Sequence, residues 1–573
     1  MKLQFKKVMT AAAIFIAAAF TSSAQNPLLI PPALTGTSYN LNVQMGSVQF
    51  LSGAATPTYG VNGNILAPTL IVNKGDVVTM NVTNNINSTT TMHWHGLHVP
   101  AMDDGGPHQI IQIGNTWSPQ FEIMNDAGTY WYHPHGENKT DLQVSKGIAG
   151  MIIVKDSLEN TLTLPRTYGV DDFPLIVQTK AFDVLNQIAI ATELDTFLVV
   201  NATHDAYLDA PAQVVRFRIL NGSSERSYNF GFSNNMNFYV IGSADGLLDS
   251  TVMLNRLRVA NGERYEILVT LDTLQGQSIQ LMNYGSELIN GIVGAAQVGN
   301  GAMQIPDYNL NPLNGADFSV LQINVVAPTA NPVTTIPTAL VSHNPWQLSQ
   351  ATVNRNLLFA PAQAGPPYMV TGPFLINGDA FSMDTINIVT YLNTIEAWTI
   401  QNGTMIAHPF HIHDCHFYIL DINGVAPPLE QKGKKDVVLI PPQQSATIIM
   451  KFEDFVDDSM PYMYHCHLLH HEDDGMMGSF VVIDSITGVS EINFSDLKIF
   501  PNPTSGQLSI SDLQSLGTSI SIVDLTGREM KNIFSENNSV NIDVSDLADG
   551  IYFLKLTGRN HELEITKFIV QKN

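Results

Sequence analysis

The stretch HCHLLHHEDDGMMG, residues 465–478, sets the terms for reading the rest of the chain. Cys466 stands between His465 and His467. On a β-strand successive side chains point to opposite faces, so the Cys466 sulfur is expected to face away from both imidazoles. One metal held through Cys466 would then sit on one face, with His465 and His467 serving others behind it. The flanking sequence supports such a strand. Tyr39 to Phe50, Thr69 to Val72, Val77 to Val82 and Met151 to Val154 are short β-branched or alternating runs punctuated by Gly, Asn and Pro. Val215 to Leu220 alternates apolar residues with Arg216 and Arg218, which predicts a strand with one wet face. Asn261-Gly262-Glu263-Arg264-Tyr265 and Ile376-Asn377-Gly378-Asp379 predict turns. No long helical periodicity competes, so the chain reads as all-β, a series of sandwiches or barrels.

At about 150 residues per domain, 573 residues predict roughly four domains. With 44% hydrophobic and only 14% charged residues, the chain can bury large cores. A net charge of -24 has the wrong sign for a nucleic-acid backbone, and no nucleic-acid partner is expected. The uncharged, Pro-rich run Val326 to Pro337 predicts a linker. The expected plan is three sandwiches at 26–160, 161–326 and 338–488, followed by a small all-β unit at 494–573. Two cysteines, Cys415 and Cys466, exclude a disulfide-stapled scaffold.

The 17 histidines are not scattered, for ten of them fall into four clusters. These are His93-Trp94-His95, His133-Pro134-His135, the run containing His408, His411 and His413, and His465-Cys466-His467 with His471. One pair alone would be weak evidence of a metal site, whereas burying four clusters without a common purpose would be costly. Cys466, His471, Met476 and the preceding His408 make a soft set of two imidazoles, one thiolate and one thioether. That is a blue-copper electron-transfer set. Zinc would accept the Cys and His but would leave the Met unexplained. Eight histidines remain.

All four motifs resemble those of the multicopper oxidases, the laccase and bilirubin oxidase superfamily, over roughly residues 40–485. The resemblance implies three cupredoxin-like Greek-key β-sandwich domains and four coppers: one type 1, one type 2 and two type 3. It implies His408, Cys466, His471 and Met476 as type 1 ligands, and His93 and His411 as type 2 ligands. In the type 3 pair it implies His95, His133 and His467 on one copper and His135, His413 and His465 on the other. The centre formed by these eight histidines should lie between the first and third domains. The implied reaction draws one electron at a time from a small reducing substrate and reduces O2 to water. That consumes protons, and Asp104 and Glu472 match the family's proton-relay acids. Trp94 and Trp131 are expected to pack the clusters. His98, His108 and His470 are left outside the ligand set, and Cys415 is expected to be a buried free thiol.

The donor is less legible. An axial Met suits phenols, aromatic amines or metal ions. The 21 methionines hint at a cuprous oxidase for copper tolerance, although no Met-rich insertion is present. The acidic run Glu453 to Asp458 is either an electrostatic lure for cations or a solvated loop. A non-catalytic cupredoxin-fold structural protein, or a copper nitrite reductase, is disfavoured by the complete set of twelve ligands.

Both ends carry addresses. Residues 1–24 predict a signal peptide, with Lys2, Lys6 and Lys7 ahead of a 13-residue uncharged stretch that is too short to span ~30 Å of hydrocarbon. The C-terminal unit resembles the sorting domain of the type IX secretion system through Pro501-Asn502-Pro503, Asp524-Leu525-Thr526-Gly527 and Leu547-Ala548-Asp549-Gly550-Ile551-Tyr552. It implies the type IX machinery as export partner and a secreted or cell-surface location.

Overall fold

The computed structural model describes residues 26–301, 303–484, 498–511, 518–525, 527–535, 537–557 and 563–572. The predicted signal peptide lies outside the described residues, as does Thr526 of the sorting motif. Among the described residues no helix is long and apolar enough to cross a membrane. The chain divides into two compact units, one ending at Asp484 and the other beginning at Ser485.

The first unit contains three two-sheet sandwiches. Alternation builds the first one. In Ser38–Val48, Tyr39, Leu41 and Val43 point into a core shared with Val78, Met80 and Val82 of Val77–Asn85, and these two strands run parallel. The second sandwich centres on Val214–Asn221, which pairs with both Asp172–Phe182 and Arg264–Thr270. The third pairs His408–Ile412 with Asp457–Cys466, and the latter with Met477–Ile483.

One expectation fails in an instructive way. Val215, Phe217 and Ile219 do face a core, but the other face of that strand is not wet: Arg216 and Arg218 are buried. Arg216 pairs with Glu159 at 2.9 Å and with Glu266, while Arg218 pairs with Asp172 at 2.8 Å and Glu266 at 2.7 Å. Arg218 also donates to Thr129 of the first sandwich at 2.9 Å. The basic residues thus meet carboxylates and a neighbouring sandwich, which compensates their lost hydration.

The ends of the sandwiches interleave. Asn26–Pro27 adds to the sheet of the second sandwich, and Val293, Val298 and Tyr308 pack into the core of the third. The Pro-rich connection is docked along the second sandwich, with Val214 N–H donating to the Val333 carbonyl at 2.8 Å.

The second unit is a small β structure with a three-stranded sheet, ordered Lys498–Phe500, Gln507–Ser511 and Ser539–Asp543, and a separate four-stranded sheet. Leu508, Ile510, Ile520, Ile522, Leu554 and Phe568 form its core.

Candidate metal centre

All twelve sequence-predicted ligands are buried, His471 being the most exposed at 8%. Register explains how the third-sandwich ligands meet. In the antiparallel pair, Phe410 stands opposite Cys466 and His411 opposite His465. His467 lies just past the strand end, and the connection to Met477–Ile483 contains a short helix, Leu469–Asp473, that carries His471. Its closure is held by Cys466 N–H donating to the Met476 carbonyl at 3.1 Å and Met476 N–H donating to the His471 carbonyl at 2.9 Å. In the first sandwich, His93 and His133 exchange backbone hydrogen bonds of 2.8 and 3.1 Å, which brings the two histidine pairs of that sandwich together. His133-Pro134-His135 follows the end of Gly128–Tyr132 and His93-Trp94-His95 lies in a connection outside the strands, so only part of the expected strand geometry applies.

Two separate clusters result. In the smaller, Cys466 Sγ lies 3.4 Å from His408 Nδ1 and 3.7 Å from His471 Nδ1. Thr404 Oγ1 holds His408 by its other nitrogen, Nε2, at 2.9 Å, and the Phe374 ring packs edge-on against both imidazoles. Met476 is fully buried in the same core as Cys466. Burial pushes the Cys466 thiol up and His408 down to about 3, so without a metal the site is neutral.

The larger cluster joins the first and third sandwiches. His135 Nε2 lies 3.1 Å from His465 Nε2 and 3.2 Å from His413 Nε2. His95 Nδ1 lies 3.4 Å from His133 Nε2 and 3.3 Å from His467 Nε2. His93 stacks on His413, and His95 on His411, both at 3.8 Å between ring centroids. The outer nitrogens fix several ring orientations. His93 Nδ1 faces the Asp104 carbonyl at 2.9 Å, and His411 Nδ1 faces the Asp436 carbonyl at 2.8 Å. Their Nε2 atoms are buried with no hydrogen-bond partner.

The cluster thereby points lone pairs inward. His413 and His465 use Nδ1 outward, toward Asp104 Oδ2 at 2.7 Å and the Cys466 carbonyl at 3.0 Å, so their Nε2 atoms are acceptors facing His135. Burial, aided by neighbouring imidazoles, holds His95, His135, His411 and His465 well below their ordinary value and keeps them uncharged. Converging lone pairs repel unless a cation stands between them. Neutral imidazole donors beside a His2Cys set fit copper.

Asp104 and Glu472 are buried against this cluster. Burial alone would raise the Asp104 carboxyl, but His413 and His93 bring it below the usual carboxylate range. Glu472 is pushed well up, first by burial and then by Asp473. Trp131 stacks on His133 at 4.0 Å.

Other predicted positions fall outside the clusters. His98 is held between Asp414 and Asp454, each at 2.7 Å, so one carboxylate of the acidic run is structural. His108 Nε2 meets the Met383 carbonyl at 3.0 Å, and the partly exposed His470 lies 3.6 Å from Asp474. Cys415 is a buried free thiol within the third core. Asp414 has φ +63°, a left-handed turn that ends strand alternation directly after His413. Sequence reading missed Thr404, Asp436 and Arg264, since each is an ordinary residue in a turn or strand with no motif around it.

Multicopper oxidase family models match residues 42–159, 206–288 and 348–485. A multicopper oxidase from Staphylococcus haemolyticus is 34% identical over 78% of this chain and 88% of its own. The chain belongs to the multicopper oxidases. It is a copper-dependent oxidoreductase with O2 reduction as the general reaction of its fold. The structure of the laccase-like multicopper oxidase CueO from Ochrobactrum sp. aligns with a TM-score of 0.69 at 32% identity, covering 80% of this chain and all of that one. The cell division protein FtsP of Rahnella sp. is 30% identical over 84% of this chain and 98% of its own. Residues 498–571 match the secretion system C-terminal sorting domain, which marks this multicopper oxidase for type IX export to the cell surface or beyond.

Proposed function

We propose that the chain holds four coppers: one at His408, Cys466, His471 and Met476, and three among the eight other histidines. His93 and His411 would hold the type 2 ion. His95, His133 and His467 would hold one member of the type 3 pair, and His135, His413 and His465 the other. When bound, copper supplies one-electron transfer at the thiolate site and four-electron reduction of O2 to water at the other. The observation carrying this reading is the position of Cys466 Sγ between His408 and His471, while its two chain neighbours reach the separate histidine cluster. Only backbone separates the two sites.

The chain's own acids supply the protons. Glu472, whose carboxyl is pushed well up by burial and is suited to hold a proton, sets Oε1 3.4 Å from His135 Nδ1 and Oε2 3.2 Å from His465 Nδ1. A cavity of about 300 Å³ lined by Glu137, Asp473 and Asp474 adjoins it and can resupply that proton. Asp104 stays ionised and balances charge on the opposite side. Two carboxylates with opposed shifts suit an acid and its counter-charge.

The donor is proposed to dock in a cavity of about 310 Å³ against His471, where Glu193, Glu225 and Asp307 alternate with Ile305, Val370 and Ile406. Burial lifts Glu193 to about 7 and Glu225 well above the ordinary carboxylate range. These apolar walls with largely protonated acids suit phenols and aromatic amines, and ionisation of the acids at higher pH would also suit a metal cation. The Ochrobactrum relative's reported activity towards lignin model compounds supports the aromatic choice. The similarity to the cell division protein FtsP supports a structural alternative, against which the burial of all twelve candidate ligands weighs.

The test is to load the purified chain with copper, record visible and spin-resonance spectra, and follow O2 uptake with a phenol, bilirubin and Cu(I) in parallel. About four coppers per chain, an intense blue band and uptake with at least one donor are expected from the complete ligand set. Copper-free protein, or blue protein inert toward every donor, would overturn the reading.

A further inference from the structure

The second sandwich supplies none of the twelve ligand candidates, yet it touches the histidine cluster at two points. The first is Gly262, with φ +76°, where a Cβ would stand 2.8 Å from Nε2 and Cδ2 of the His467 ring. Only glycine lets the backbone approach that ring so closely. The second is Arg264, which is fully buried. Its Nη1 and Nη2 donate to Oδ1 and Oδ2 of Asp436 at 2.8 and 2.6 Å. Its remaining donors reach the carbonyls of Thr129 at 3.2 Å, Gly262 at 3.0 Å and Ala244 at 3.0 Å. Five N–H groups meet five acceptors, so the guanidinium has one orientation available.

Asp436 in turn faces two histidines of the cluster. Its carbonyl oxygen accepts from His411 Nδ1 at 2.8 Å, and its Oδ2 lies 3.7 Å from His95 Nε2. Both contacts fall on the ring nitrogen opposite the one that faces the cluster. The close fit extends to Gly96, directly after His95, where a Cβ would stand 2.5 Å from Asp436 Oδ2 and 2.7 Å from Arg264 Nη2.

We propose that Arg264 is a positioning residue for the eight-histidine copper centre, clamping Asp436 so that its carbonyl holds the His411 ring by Nδ1 while its carboxylate is kept 3.7 Å from His95 Nε2. This rests on the reading of those histidines as copper ligands. Without the guanidinium, the buried Asp436 carboxylate would be left uncompensated beside the cluster and free to turn toward a metal. Arg264 would therefore act on the geometry of the three-copper site, and the thiolate site, held by His408, Cys466 and His471, would not feel its loss.

The test compares Arg264→Lys and Asp436→Asn with Arg218→Lys in the full copper-loaded chain. Arg218 is also a buried bidentate arginine of the second sandwich, but its partners are the side chains of Asp172, Glu266 and Thr129, and it makes no contact with Asp436. Copper per chain, the blue band, the type 2 spin-resonance signal and the thermal midpoint are read together. Arg264→Lys is expected to keep the blue band while its type 2 signal shifts or its cluster copper falls. O2 uptake should drop about 10–100-fold, as for other outer partners of metal ligands. Asp436→Asn, which retains the side-chain volume but replaces one acceptor facing Arg264 with a donor and so loosens the clamp on the carbonyl that holds His411, should show the same spectral change even if Arg264→Lys does not fold. Arg218→Lys should lower the thermal midpoint and leave the type 2 signal unchanged. An unaltered type 2 signal and full cluster copper in Asp436→Asn, or an Arg264→Lys protein indistinguishable from Arg218→Lys, would overturn the proposal. A wild-type chain that bound no copper would instead overturn the copper reading itself, before any variant is compared.

Discussion

Asp104 braces two imidazoles that come from different sandwiches. Its Oδ2 accepts from His413 Nδ1 at 2.7 Å, and its Oδ1 lies 3.3 Å from His93 Nδ1. Glu472 repeats the arrangement on the other side, reaching His135 and His465. Each carboxylate meets one first-sandwich and one third-sandwich histidine by the nitrogen that the cluster leaves free. These contacts orient the rings and place titratable groups within reach of the reacting centre.

Asp104→Asn tests the charge at that position. The amide keeps an oxygen for one imidazole but cannot carry a negative charge or accept a proton. O2 uptake should fall about 10–100-fold, as for other outer partners of metal ligands, because the counter-charge and one brace of the cluster are lost. The blue band should be retained, because Cys466, His408 and His471 are untouched. An oxygen electrode and a visible spectrum on the same sample suffice, and a normal rate would show that the Asp104 charge is not needed.

Cys466→Ser and His465→Ala should dissociate the two sites. The serine variant is expected to lose the blue band and turnover while copper remains at the histidine cluster. The alanine variant should keep much of the blue colour and lose O2 reduction. If Cys466→Ser kept both colour and turnover, the assignment of the entry site would be wrong.

Acid should destabilise the copper-free protein over a defined window. Burial holds His408 and His467 down to about 3, and His413 to about 4, against an ordinary 6.5. As pH falls through 6.5, these rings take up protons in the unfolded chain but not in the folded one, so the balance shifts toward unfolding. Glu472, Glu225, Glu193 and Asp473, all raised by burial, oppose this against the larger number of depressed histidines. The thermal midpoint of the metal-free chain should fall as pH is lowered between about 6.5 and 3. A midpoint that rose on acidification would contradict the buried-neutral state of these rings.

Copper should also stabilise the docking of the first and third sandwiches, since their histidines interleave in one cluster. A ligand that binds only the folded state at 100 times its Kd adds about 2.7 kcal/mol. Chelation should lower the thermal midpoint of the first unit, and re-addition should restore it. Scanning calorimetry of the same preparation with and without chelator measures this directly. An unchanged midpoint would mean that metal plays no part in holding the sandwiches together.

The sequence by itself determined the candidate ligands and the class of fold. Side-chain alternation is local, so His465-Cys466-His467 could be read as serving two faces, and Tyr39, Leu41 and Val43 as one side of a sandwich, without knowing any neighbour. Tertiary structure decided what covers each face and which acid meets which imidazole. Arg216 and Arg218 looked solvent-facing because their strand alternates, but whether that second face is wet depends on the first sandwich and on the carboxylates of Glu159, Asp172 and Glu266. Asp436 and Arg264 carry no local signal, for their ion pair joins residues 172 positions apart and forms only when the second and third sandwiches pack together. Backbone geometry sets the direction of a side chain within its own strand, whereas its partner is set by the packing of distant segments.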